Sequence, residues 1–194
     1  MLEFTIRPQG HKNLHVIIYP DQSLIVTNIS LDSHPIKNLK MCKTCQKSQI
    51  TNTCSLLDAL VPVLIYFSDI LSYEKVVIEY REENCFSRYV DTAQKAGFIL
   101  CIYSMFYSSC EFFGQFNFLL KYYKVNITYD IFMHLILTTA LLQRQLDLYE
   151  VHEKIDIFSE VKVLTNEFHR RLSCILEDAK SIQNKDAAVN ALNI

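Results

Sequence analysis

From its second residue the chain alternates without a break: Leu2, Phe4 and Ile6 are apolar, and Glu3, Thr5 and Arg7 beside them are polar. Successive side chains of a strand point to opposite faces, so this pattern is a strand with one face in a core and the other in water. Such a strand needs neighbours and a covering layer, which commits the start of the chain to a sheet. Two further short runs, Leu14–Tyr19 and Leu24–Ile29, are separated by the turn clusters Pro8–Asn13 and Pro20–Ser23. Strand runs joined this closely by Pro, Gly, Asn and Asp predict an antiparallel meander.

Residues 31–54 break the pattern with four lysines (Lys37, Lys40, Lys43, Lys47), few apolar residues and no period. They read as a surface loop, and a loop this long inside a domain is often functional. Apolar density rises at Ser55, which is placed to cap a helix over Leu56–Leu71, with Asp58 in its first turn and Pro62 expected to kink or restart it. Lys75–Tyr80 is β-branched and reads as a strand, Phe86–Ala96 as a short helix ended by Gly97, and Phe98–Tyr103 as a buried strand. That order predicts a right-handed parallel crossover in the middle of the chain. Residues 104–125 are aromatic-rich and suit helix or strand.

Thr128-Tyr129-Asp130 offers a cap before Ile131–Leu148, a segment apolar nearly all round and therefore expected to be buried. From Val151 the apolar residues Ile155, Phe158, Val161, Leu164, Phe168, Leu172, Ile175, Ala179 and Ile182 follow at steps of three and four. They draw one stripe along a helix of roughly 30 residues, with Glu167 and Arg171 forming an i,i+4 ion pair on its polar side. The expected fold class is α+β: an N-terminal antiparallel meander, a short α/β middle segment, and two C-terminal helices, the last long and amphipathic. The expected division is a globular domain over 1–150, the long helix over 151–183 and a frayed tail over 184–194.

Composition narrows the function more than it defines it. Gly10, Gly97 and Gly114 are the only glycines and lie far apart, so no Walker A loop, dinucleotide fingerprint or G-x-S-x-G elbow can be written. Nineteen basic residues against 21 acidic ones leave a net charge of −2, which gives no global field for duplex DNA or an anionic membrane. The most apolar stretches are interrupted by Asp58, Asp69, Glu111, Asp130 and His134, so no membrane span is expected. The N-terminus lacks the basic and apolar regions of a signal peptide, and the seven cysteines are therefore read as reduced thiols in the cytoplasm or nucleus.

Cys42-Lys43-Thr44-Cys45 is the one recognisable motif. Two thiolates three residues apart can hold one Zn²⁺ from a turn, and Cys54 and His34 in the same loop would complete a Cys₃His set. A second C-x-x-C is missing, and two surface thiols in a lysine-rich loop is the plainer account. The four lysines lack the interleaved aromatics and arginines of a nucleic-acid site, so direct nucleic-acid contact is not expected. His134 reads as a core or interface residue and His169 as a solvated one. Glu79, Glu82 and Glu83 cluster past a strand, where paired acids would need a pocket; Glu79 and Arg81 alternate with Val77 and Tyr80, and a half-exposed strand is the plainer account.

Eleven Tyr and 12 Phe without Trp exceed what a small core needs, so some aromatics of 103–123 are expected at an interface. The expected function is a non-catalytic subunit or scaffold of an intracellular complex, without cofactor. Its partner, a second copy or a different protein, would pack on Phe168, Leu172, Ile175 and Ile182. The alternatives are a zinc-stabilised binding module built on Cys42, Cys45, Cys54 and His34, and an enzyme of unrecognised type.

Overall fold

The computed structural model describes residues 1–19, 24–27, 55–83, 85–108, 110–114, 116, 117, 119, 131, 134–142, 156, 159, 161–168, 170 and 171. They fall into two compact units, one within 1–117 and one within 118–174.

The first unit is α+β. Strands β1 (Leu2–Pro8), β2 (Leu14–Ile18) and β3 (Leu24–Thr27) form the expected antiparallel meander, with Phe4 opposite Val16 and Val16 opposite Val26. Gly10, at φ 80°, takes the left-handed backbone conformation in the β1–β2 turn. Helix α1 (Ser55–Phe67) follows, then β4 (Lys75–Glu82), β5 (Cys85–Thr92) and helix α2 (Ala93–Tyr107). The sheet order is β3-β2-β1-β4-β5, and every neighbouring pair is antiparallel.

Strand alternation sorts the side chains onto two faces. Leu2, Phe4, Ile6, Leu14, Val16, Ile18, Val76 and Ile78 are buried on the helix side. There α2 lies against β4 and β5, α1 against β3, and the two helices pack on each other. Phe4 is the hinge of this core: its ring meets Tyr80 at 5.3 Å and Tyr103 of α2 at 4.8 Å, both edge-on. Edge-to-face pairs of this kind add to what burial alone contributes.

Two sequence expectations for this unit are corrected. Phe86–Thr92, expected in a helix over Phe86–Ala96, belongs to strand β5, which forms a hairpin with β4, and Phe98–Tyr103, expected to be a strand, lies within the helix Ala93–Tyr107. The middle of the chain is therefore an antiparallel hairpin followed by a helix, with no parallel crossover. The helix begins where Thr92 accepts a hydrogen bond from the Lys95 N–H at 3.3 Å. It is buried from Ala96 to Phe106, so no polar stripe marks its period, and a short apolar run reads equally as strand. Gly97, expected to end a helix, is buried inside this one. Pro62 neither ends nor restarts α1. The carbonyl that loses its donor belongs to Asp58, an exposed residue where water can serve instead.

In the second unit, residues 134–142 and 161–168 are helical. Leu119, Ile136 and Phe168 are buried, whereas Ile131, His134 and Leu142 are exposed. The segment from Ile131 thus has a wet side, and His134 lies there rather than in a core. Ser159, Arg170 and Arg171 are helical as well, whereas Asp156, inside the expected 151–183 helix, is not; the other residues of that expected helix lie outside the described residues. No described helix is long and apolar enough to cross a membrane.

Candidate docking face

Helices α1 and α2 lie on one face of the sheet. Its other face is built by the odd-numbered residues of β1, β2, β3 and β4 and the even-numbered residues of β5. Three rows cross it. The first runs Phe86, Arg81, Glu3, Ile17, Ile25; the second Arg88, Glu79, Thr5, His15, Thr27; the third Val90, Val77, Arg7.

The centre of this face is polar and tied together. Arg7 donates to Glu79 at 3.0 Å, and Arg88 approaches the same carboxylate at 3.6 Å. Arg81 lies 3.9 Å from Glu3 and stacks its guanidinium over the Phe86 ring at 5.7 Å. Thr5 and His15 are hydrogen-bonded across β1 and β2 at 3.0 Å. The Arg7 hydrogen bond holds the Glu79 carboxyl below the usual carboxylate range, with the charges of Arg7, Arg88 and Arg81 acting the same way.

Both edges are apolar. Phe86 and Val90 on β5 are 57% and 62% exposed, and Ile25 on β3 is 45% exposed. A strand residue that faces water is ordinarily polar, so three large apolar residues on one wet face form a surface suited to a partner.

The three carboxylates past β4 do not converge. Alternation sends Glu79 to the outer face and Glu82 to the helix side, where Glu82 accepts the Tyr80 hydroxyl. Burial first, and Glu82 second, push the Tyr80 and Tyr107 hydroxyls up. Glu83 sits exposed in the hairpin turn at φ 42°. No paired-acid centre results, because one carboxylate is locked by arginines and another by a tyrosine on the opposite face.

The aromatics expected at an interface are largely core. Tyr103, Phe106, Phe113 and Phe116 are buried, with Phe106 packed 6.4 Å from each of Phe113 and Phe116. Among the described residues the exposed aromatics are Tyr73 and Phe86. Phe86 and Val90 were missed because their segment reads as helix. The signal that finds them is the period-two order Phe86-Ser87-Arg88-Tyr89-Val90.

Of the expected partner-binding residues, Phe168 is 2% exposed within the single chain, so its side chain is covered without any partner. Leu172, Ile175 and Ile182 lie outside the described residues. The ion pair beside them is present: Glu167 takes Arg170 at 2.7 Å and Arg171 at 2.6 Å, which together hold its carboxyl at about 2. Cys42, Cys45, Cys54 and His34 also lie outside the described residues, as does His169. Among the described residues no three His, Cys, Asp or Glu side chains gather as a metal set. Cys101 is buried and its thiol is pushed up to about 12, while Cys85 is exposed. Burial of this kind makes the Cys101 thiol a poor nucleophile. No family model, no curated protein and no solved structure matches this chain.

Proposed function

We propose that the chain is a non-catalytic protein-interaction subunit of an intracellular complex, and that it meets its partner through the outer face of the sheet. The observation that carries this is the apolar rim of Phe86, Val90 and Ile25 around an arginine–carboxylate centre. Interfaces combine apolar anchors with aromatic and arginine side chains, and Arg81 over Phe86 supplies both in one place. Left wet, each large apolar side chain forgoes part of the roughly 1.5–3 kcal/mol that burial would return. The rim therefore favours being covered. The separated carboxylates and the inert buried thiol support a binding role over a catalytic one.

Photo-crosslinking tests the proposal. A benzophenone amino acid at position 86, 90 or 25 is expected to yield a discrete adduct with a second protein in the native cell. The same probe at exposed Gln94, on α2, serves as the reference and should yield none. Adducts from Gln94 only, or from no position on the sheet, contradict the proposal.

A further inference from the structure

Among the described strands, β5 ends the sheet on one side and is eight residues long. Every second residue of an edge strand turns its N–H and C=O away from its neighbour, so a long edge is a template for another strand. The outer-face side chains of β5 read apolar, basic, apolar: Phe86, Arg88, Val90. Natural sheets place a charge in such a strand to prevent pairing with copies of itself.

Register makes that charge selective. A second copy added antiparallel with its Val90 opposite Phe86 sets Arg88 directly against the Arg88 of the copy. Like charges directly opposite one another destabilise a pair. Among the described residues of the face around β5, arginines outnumber carboxylates. Arg7, Arg81 and Arg88 share two carboxylates, Glu3 and Glu79, and Glu79 is closer to Arg7 than to Arg88. Arg88, on the edge strand and 62% exposed, is held at 3.6 Å by a carboxylate that Arg7 already engages at 3.0 Å. An acid opposite it would complete a charge-assisted pair between two apolar contacts.

We propose that β5 receives an extended segment of a partner protein as a sixth, antiparallel strand, and that this segment carries an acidic residue flanked two positions away on each side by apolar ones. This rests on the interaction-subunit reading above and assigns it a partner chemistry. Main-chain hydrogen bonds along β5 supply affinity, and the alternating side chains supply selection.

The test uses the whole chain, ¹⁵N-labelled, titrated with two short blocked peptides. One alternates threonine with Val, Glu and Val; the other has Lys in place of Glu. The acidic peptide is expected to shift the amides of Cys85–Thr92 and slow the exchange of alternate ones. The basic peptide should bind about tenfold more weakly. Arg88→Glu should invert the preference and Arg88→Gln should erase it, both with unchanged circular dichroism since Arg88 is exposed. Equal binding of the two peptides, shifts centred elsewhere, or concentration-dependent dimerisation protecting β5 without peptide would overturn the proposal. If position 86 still cross-links in the cell while either result holds, the docking face stands and only the added strand is lost.

Discussion

Arg7 and Glu79 meet diagonally across β1 and β4, guanidinium to carboxylate at 3.0 Å, on the face of the sheet opposite α1 and α2. The pair joins the strands at the centre of the sheet, and Arg88 extends it to the edge strand at 3.6 Å.

The Glu79 carboxyl is therefore expected to titrate below the ordinary carboxylate value, and Arg7→Ala to move it back up. Because the folded-state value is depressed, its stabilisation is present above the unfolded value and is lost as pH falls through the folded one. The pair is partly exposed, so its contribution is small, about 0.5–1 kcal/mol at neutral pH. Carbon-detected NMR titration of the wild type and Arg7→Ala checks both the direction and the return.

Phe4→Ala should be among the most costly single changes in the first unit. It empties a fully buried site and removes two edge-on ring contacts, to Tyr80 and Tyr103. Urea unfolding should show a loss of about 3–5 kcal/mol. A loss under about 1 kcal/mol would mean that β1 and α2 do not share one core.

The role of Phe4 was legible from sequence because strict alternation has one reading, and the same holds for β2 and its turns. The β4–β5 hairpin was not. It turns through Glu83, at φ 42° where glycine is the usual signal, so no glycine marks the reversal. Without the hairpin, the sequence of Phe86–Ala96 reads as helix and that of Phe98–Tyr103 as strand. The docking face follows from β5, so Phe86 and Val90 became visible only once pairing with β4 fixed which way they point. Phe168 illustrates the opposite case. An apolar stripe says that a face is covered, and it carries no information on whether the cover is the same chain or another.

Ser104→Ala is expected to be neutral or stabilising by about 1 kcal/mol. The Ser104 hydroxyl is fully buried in α2 with no hydrogen-bond partner, so its removal relieves a desolvated polar group and leaves a good helix former. Thermal unfolding compares the two proteins, and a loss exceeding about 1 kcal/mol would show that the hydroxyl has a partner.

Native-state alkylation near neutral pH, followed by peptide-level mass spectrometry, should label Cys85 readily and Cys101 only after denaturant is added. Cys85 is exposed, whereas burial holds the Cys101 thiol at about 12 and excludes the reagent. Labelling of Cys101 at a rate matching Cys85 would place α2 outside the core.

The central claim is that the outer face of the sheet is open in the free chain and covered in the cell. Hydroxyl-radical footprinting of the purified protein and of the protein in intact cells measures this directly. Phe86, Val90 and Ile25 should be oxidised in the purified protein and protected in the cell, while Tyr73, 71% exposed in the turn before β4, should react alike in both. Equal oxidation of Phe86, Val90 and Ile25 in the two samples would contradict the claim.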